Sequence, residues 1–105
     1  MVIPKITEQK FKEALENNTS FLLVFYATWS GSCELLLSLL EQIVLELPGL
    51  VKVYKIDAVR NKDLMNKHHI KSIPSILLIR DGKVQDSISG IVSKPILKLE
   101  IEKLF

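Results

Sequence analysis

Cys33 is the only cysteine in the 105 residues, and it stands three positions after Ser30 and four after Trp29. A lone thiol excludes an internal disulfide and a cysteine-built zinc cage, so any sulfur chemistry is monothiol or intermolecular. The segment Ala27-Thr28-Trp29-Ser30-Gly31-Ser32-Cys33 lies between an apolar run and a helical pattern. A strand-to-helix junction of this kind aims unpaired backbone N–H groups and the positive end of a helix dipole at its occupant, which is where a thiolate would be stabilised. Two readings of Cys33 stand open: a reactive thiol that forms mixed disulfides or other reversible adducts, or a shielded thiol packed as a small hydrophobe one turn into the helix. Ser30 is a candidate helix N-cap or a polar contact to a docked peptide. Nucleophilic catalysis by Ser30 is disfavoured because no histidine lies within the motif. His68 and His69 are neighbours in a short polar stretch, so they point in different directions, cannot ligate one metal as an i, i+4 pair, and are expected on the surface.

The elements that must position these residues follow from pattern. Thr7 caps a first helix with Phe11, Ala14 and Leu15 at helical spacing, ended by Asn17-Asn18. Residues 21–27 are apolar at successive positions, the mark of a strand covered on both faces in the middle of a sheet. A Leu- and Glu-rich helix is predicted over residues 32–47, stopped by Pro48-Gly49. A second strand is expected over residues 51–57 and a short polar helix over residues 61–69, with Leu64 and Met65 as its apolar contribution. Pro74 ends any helix there and biases Ile73 toward an extended conformation. Residues 75–80 and 83–89 flank Asp81-Gly82, the strongest hairpin signal in the chain. Ser93 and Pro95 open a terminal helix carrying Ile96, Leu97, Leu99, Ile101 and Leu104. The order αβαβαββα implies an α/β fold, a central mixed sheet flanked by helices on both faces, in one domain spanning residues 1–105.

Composition narrows the function classes. Apolar residues make up 48% and charged residues 25%, an ordinary globular balance long enough to bury a core without staples. The apolar runs fall far short of the ~18 residues of a membrane span, and Met1-Val2-Ile3-Pro4-Lys5 lacks the pattern of a signal peptide, so a cytoplasmic location is expected. The net charge of +2 divides unevenly, from three Lys against six Glu in residues 1–50 to eleven basic against six acidic residues in residues 51–105. The basic residues are spaced, with no aromatic series between them, so they read as a solvated face and no nucleic-acid partner is expected.

Several segments together resemble the thioredoxin family. Phe25-Tyr26-Ala27-Thr28-Trp29-Ser30-Gly31-Ser32-Cys33 is similar to the strand leading into the family's Trp-Cys-Gly-Pro-Cys motif. Lys71-Ser72-Ile73-Pro74-Ser75 resembles its cis-proline loop, Asp81-Gly82-Lys83-Val84 its hairpin, and Gly90 the glycine that faces the active site. The landmarks keep the family's order and spacing over nearly the whole chain. The resemblance implies the thioredoxin fold, protein disulfide reduction without a bound cofactor or metal, extended protein or peptide substrates, a thioredoxin reductase as electron source, and a monomer. It further implies a peptide groove formed by Trp29, Gly31, Ser32, Ile73, Pro74 and Gly90, with a cis bond before Pro74 and the backbone of Ile73 pairing with the substrate.

The departures fall on the chemistry. Ser30 occupies the position of the nucleophilic first cysteine, and only the resolving position keeps its thiol, as Cys33. In the family's cycle the first thiolate attacks a substrate disulfide and the second thiol then attacks the mixed disulfide. An oxygen cannot form the sulfur–sulfur bond that both steps require. Val24 replaces a buried Asp that helps move the proton of the resolving thiol, and Lys55, which would face that Asp, has lost its partner. Ser38 replaces a helix-kinking proline and Ser32 the proline of the motif. The chain is then a disulfide reductase scaffold, impaired or inactive in dithiol exchange, either a natural relative that lost the first cysteine or an engineered Cys-to-Ser variant, and the losses at Val24 and Ser38 tilt toward natural divergence. The alternatives are a non-catalytic peptide-binding module using the Pro74 groove and a monothiol redox sensor at Cys33. The leucines at 35, 36, 37, 39 and 40 wrap more than one side of their helix, so core packing is expected with some surface left over.

Overall fold

The computed structural model describes residues 3–47, 49 and 51–104. Its elements run α1 (Glu8–Glu16), β1 (Phe21–Tyr26), α2 (Gly31–Glu46), β2 (Val53–Asp57), α3 (Lys62–Lys67), β3 (Ser75–Arg80), β4 (Lys83–Ser89) and α4 (Lys94–Leu104). The order is the predicted one, and the boundaries move by a few residues. Pro48, expected to help stop the second helix, lies outside the described residues, as do Met1, Val2, Leu50 and Phe105. α2 ends at Glu46, where the Leu47 N–H donates to the Ile43 carbonyl.

Four strands form a mixed sheet in the order β2-β1-β3-β4. β1 is parallel to β2 and antiparallel to β3, which pairs antiparallel with β4. All six residues of β1 are buried, because helices cover both faces of this central strand. Alternation then splits the core in two. Leu22, Val24 and Tyr26 face a cluster with Cys33, Leu36, Leu40, Ile43, Leu97 and Ile101 of α2 and α4. Phe21, Leu23 and Phe25 face Phe11, Ala14, Leu64 and Ile70 on the α1 and α3 side. Each fully buried Leu or Phe contributes roughly 1.5–3 kcal/mol, so the two clusters supply the main driving force for the fold.

One pairing was not anticipated from the sequence. Residues 4–6 run along β2, with the Lys55 N–H donating to the Pro4 carbonyl (2.9 Å) and the Ile6 N–H to the Lys55 carbonyl (2.8 Å). Pro4 hides this signal because it cannot donate to a ladder, yet its carbonyl still accepts on an edge. The leucine stripe of α2 divides by helical position. Leu36 and Leu40 are buried, Leu37 and Leu39 pack partly against the core, and Leu35 is exposed. Lys94 and Lys98 of α4 both bond to Glu46 at the end of α2, and this clasp holds Glu46 below the usual carboxylate range.

Candidate functional site

β1 ends where α2 begins, and the junction is built from short local contacts. Ser30 has extended backbone, and its Oγ accepts the N–H of Cys33 at 3.3 Å, so it is the N-cap of α2. The Ser30 N–H itself donates to the Ala27 carbonyl (3.2 Å), which closes the turn through Thr28 and Trp29. Cys33 is only 1% exposed. Its Sγ accepts the Ala27 N–H at 3.4 Å and packs among Val24, Tyr26 and Leu36. Of the two readings of Cys33, the geometry is that of the shielded thiol. Gly31 and Ser32, in the first turn of α2, are exposed.

The second wall comes from the loop before β3. The Ile73–Pro74 peptide bond is cis, and Pro74 is buried. The buried Ser75 hydroxyl donates to the Ser72 carbonyl (2.7 Å), which fastens the loop to the start of β3. The Gly90 N–H donates to the Pro74 carbonyl (2.8 Å), so the end of β4 is tied to the same loop. Gly90 has φ +73°, a left-handed conformation that favours glycine. Ile73 packs against both core clusters. Trp29 is 74% exposed, an unusual state for so large an apolar group, and it lines a cavity of about 730 Å³ together with Ile73.

That cavity also takes in Lys71 and Ser72 of the loop before Pro74, and residues the sequence did not mark for a site: Ala58, Val59, Lys62, Met65, Asn66 and Ile70. They come from the β2–α3 turn, from α3 and from the segment after it. The turn is set by Asp57, whose Oδ1 accepts the N–H groups of Val59 (2.9 Å) and Arg60 (3.2 Å), while Asn61 Nδ2 donates to the Asp57 carbonyl (2.8 Å). Met65 and Ile70, apolar in a polar stretch, were the available signal. Gly31, Ser32, Pro74 and Gly90 are not among the residues lining this cavity; Gly31 and Ser32 follow Trp29 in the chain, Pro74 follows Ile73, and Gly90 is tied to Pro74 by its hydrogen bond.

Two polar predictions need restating. Lys55 has no acidic partner at Val24, its register neighbour on β1; its Nζ lies instead 5.1 Å from the centre of the Tyr26 ring, a cation–π contact. His68 was expected on the surface but is half-buried, edge-on to Phe11 with ring centres 5.7 Å apart. Burial, then the neighbouring charges of Lys67 and His69, hold His68 below the usual histidine value. Among the described residues no group of three or more His, Cys, Asp or Glu is arranged to hold a metal, and no helix is long and apolar enough to cross a membrane.

Comparison with known proteins bears on the whole of this arrangement. The thioredoxin family model matches residues 2–103. A thioredoxin of Rickettsia felis is 36% identical over 90 residues, covering 85% of this chain and 86% of that protein. The chloroplastic thioredoxin Y2 of Arabidopsis thaliana is 37% identical over 87 residues, covering 82% of this chain; the chain spans about half (52%) of that longer relative. Among solved structures, chloroplastic thioredoxin z superposes with a TM-score of 0.84 at 32% identity, covering 99% of this chain and 95% of the other. Mitochondrial thioredoxin 3 of Saccharomyces cerevisiae in its oxidised form gives 0.83 at 25% identity, covering 96% and 94%.

Proposed function

The chain belongs to the thioredoxin family, and from that premise we propose that it is a redox-family scaffold that keeps the peptide-binding half of thioredoxin function and has lost the dithiol half. One observation carries the reading. Ser30, which the resemblance sets at the position of the attacking cysteine, is engaged through Oγ as a helix cap on the Cys33 N–H, while the one thiol of the chain, Cys33, is buried.

In dithiol exchange a first thiolate displaces one sulfur of the substrate disulfide and forms a mixed disulfide. The second thiol, as thiolate, then attacks the protein's own sulfur in that bond, releases the substrate thiol and leaves an internal disulfide. A cysteine at position 30 would receive the Cys33 N–H and the α2 dipole, both of which favour a thiolate. With serine there, the same N–H only stabilises the helix, and Cys33 has no mixed disulfide to resolve. Val24 removes the acid–base partner of the second step. What persists is the surface: exposed Trp29 beside Ile73 at the cavity, with exposed Gly31 and Ser32 and the Pro74 loop, tied to Gly90, adjoining it as a groove for extended polypeptide. Monothiol sensing at Cys33 is the weaker reading, since a modifying agent has almost no sulfur surface to reach; iodoacetamide should react with native Cys33 more slowly than with a free thiol peptide.

The test is reduction of insulin disulfides with dithiothreitol as the electron source, comparing the protein with Ser30→Cys. The expected result is no acceleration over dithiothreitol alone by the protein as it stands, and turnover by Ser30→Cys. Turnover by the unaltered chain would overturn the assignment of Ser30 as the missing nucleophile.

A further inference from the structure

The cavity beside Trp29 carries a charge pattern that peptide binding as such does not require. Trp29, Val59, Met65 and Ile73 give it apolar walls, Lys62 and Lys71 stand at it as cations, and no carboxylate lines it. Both lysines are exposed. Among the described residues neither Lys62 nor Lys71 has a carboxylate within 4.0 Å, which holds equally for Lys5, Lys10, Lys52, Lys55, Lys67 and Lys83; what sets Lys62 and Lys71 apart is that they stand at the cavity. The acid beside the turn, Asp57, is already occupied by the backbone of Val59 and Arg60 and by the Arg60 guanidinium at 4.0 Å. At about 730 Å³ the space falls in the range of ligand clefts and exceeds what one side chain fills.

We propose that this cavity selects extended peptides in which apolar residues are flanked by Asp or Glu, the apolar residues seated between Trp29 and Met65 and the carboxylates meeting Lys62 and Lys71. The inference rests on the peptide-binding reading above and adds a substrate class to it. Two spaced cations on apolar walls suit a mixed acidic and apolar segment; they offer no aromatic series on which successive bases of a nucleic acid would stack.

Trp29 is the only tryptophan, so its emission reports on the cavity directly. The experiment titrates the protein with three short synthetic peptides that share a Leu-Phe-Leu centre and carry Glu, Ser or Lys flanks, following Trp29 emission. The Glu-flanked peptide should bind about tenfold more tightly than the Ser-flanked one, the sum of two solvent-exposed ion pairs. The preference should shrink to near parity in the Lys62→Gln/Lys71→Gln double variant and in about 1 M salt, where screening reaches a few ångströms. The Ser-flanked peptide should bind that variant as it binds the original. Equal affinity for Glu and Ser flanks overturns the charge selectivity while leaving peptide binding intact. A preference that survives the double variant overturns its assignment to these two lysines. Failure of all three peptides to bind overturns the peptide-binding reading and this inference together.

Discussion

At the start of β1 the chain is interlocked, whereas at its end the same strand opens onto an exposed Trp29 beside a cavity. The Asp81-Gly82 turn docks on the loop between α1 and β1. The Gly82 N–H donates to the Thr19 carbonyl (3.0 Å) and the Asp81 N–H to Ser20 Oγ (2.9 Å). A Cβ on Gly82 would collide with the Leu15 carbonyl oxygen and crowd Asn18. Nearby, Phe11, Phe21 and Tyr54 pack edge-on in series, with His68 against Phe11. At the other end, a Cβ on Gly31 or Gly90 would meet nothing within 4 Å, and Trp29 projects beside a cavity. Both glycines have positive φ, but Gly82 is required by close backbone approach as well, Gly90 by its φ alone.

The sharpest way to break this comparison is Gly82→Ala, which combines φ +77° with a backbone collision. It should cost about 3 kcal/mol, read as a Tm roughly 15 °C lower. Gly90→Ala should cost only about 1 kcal/mol, since the left-handed backbone is strained but the space is free. Equal losses at the two glycines in denaturant melts would erase the distinction between the ends. Ser30→Ala removes the α2 cap and should likewise lose about 1 kcal/mol, with the same insulin-reduction readout as the unaltered chain.

A smaller effect is expected from His68. Its folded value lies below its unfolded one, so the unfolded chain takes up the proton first, and the stability of the neutral form, complete at higher pH, is lost as pH falls below about 6.5. Melts at pH 7 and pH 5 should show this decline, and His68→Phe should reduce it. Peptide titration of Trp29 should be unaffected by that substitution, because His68 belongs to the interlocked end. Gly31→Ala should stay within about 0.5 kcal/mol of the original stability, its Cβ projecting into open space.

The interlocked end was largely legible in the sequence. Asp81-Gly82 specified a two-residue hairpin because both positions take positive φ, +51° and +77°, which this turn demands. Thr7 capped α1 by accepting the Lys10 N–H, and Asn17-Asn18 ended it, each a signal contained within a few residues. The open end was legible only in part. Ser30, Cys33, Trp29 and Pro74 stood out by motif, and Lys71 came with the loop before Pro74, but Ala58, Val59 and Lys62 did not, because none has a local pattern that differs from an ordinary turn or polar helix. His68 was misplaced for a related reason: its contact with Phe11 joins residues that no periodicity links.

By itself, then, the sequence determined the element order, the central burial of β1, and the absence of a second thiol at position 30, since these depend on residue type, spacing and backbone preference along one stretch of chain. Only the tertiary structure decided that Cys33 is buried, that Lys55 rests over Tyr26, and that Trp29, the turn set by Asp57 and the loop before Pro74 line one cavity at which two exposed lysines stand. Those outcomes required the parallel pairing of β1 with β2 and the antiparallel pairing of β1 with β3, which bring together the end of β1, the end of β2 and the start of β3, and no pattern within a single segment encodes what its distant neighbours will be.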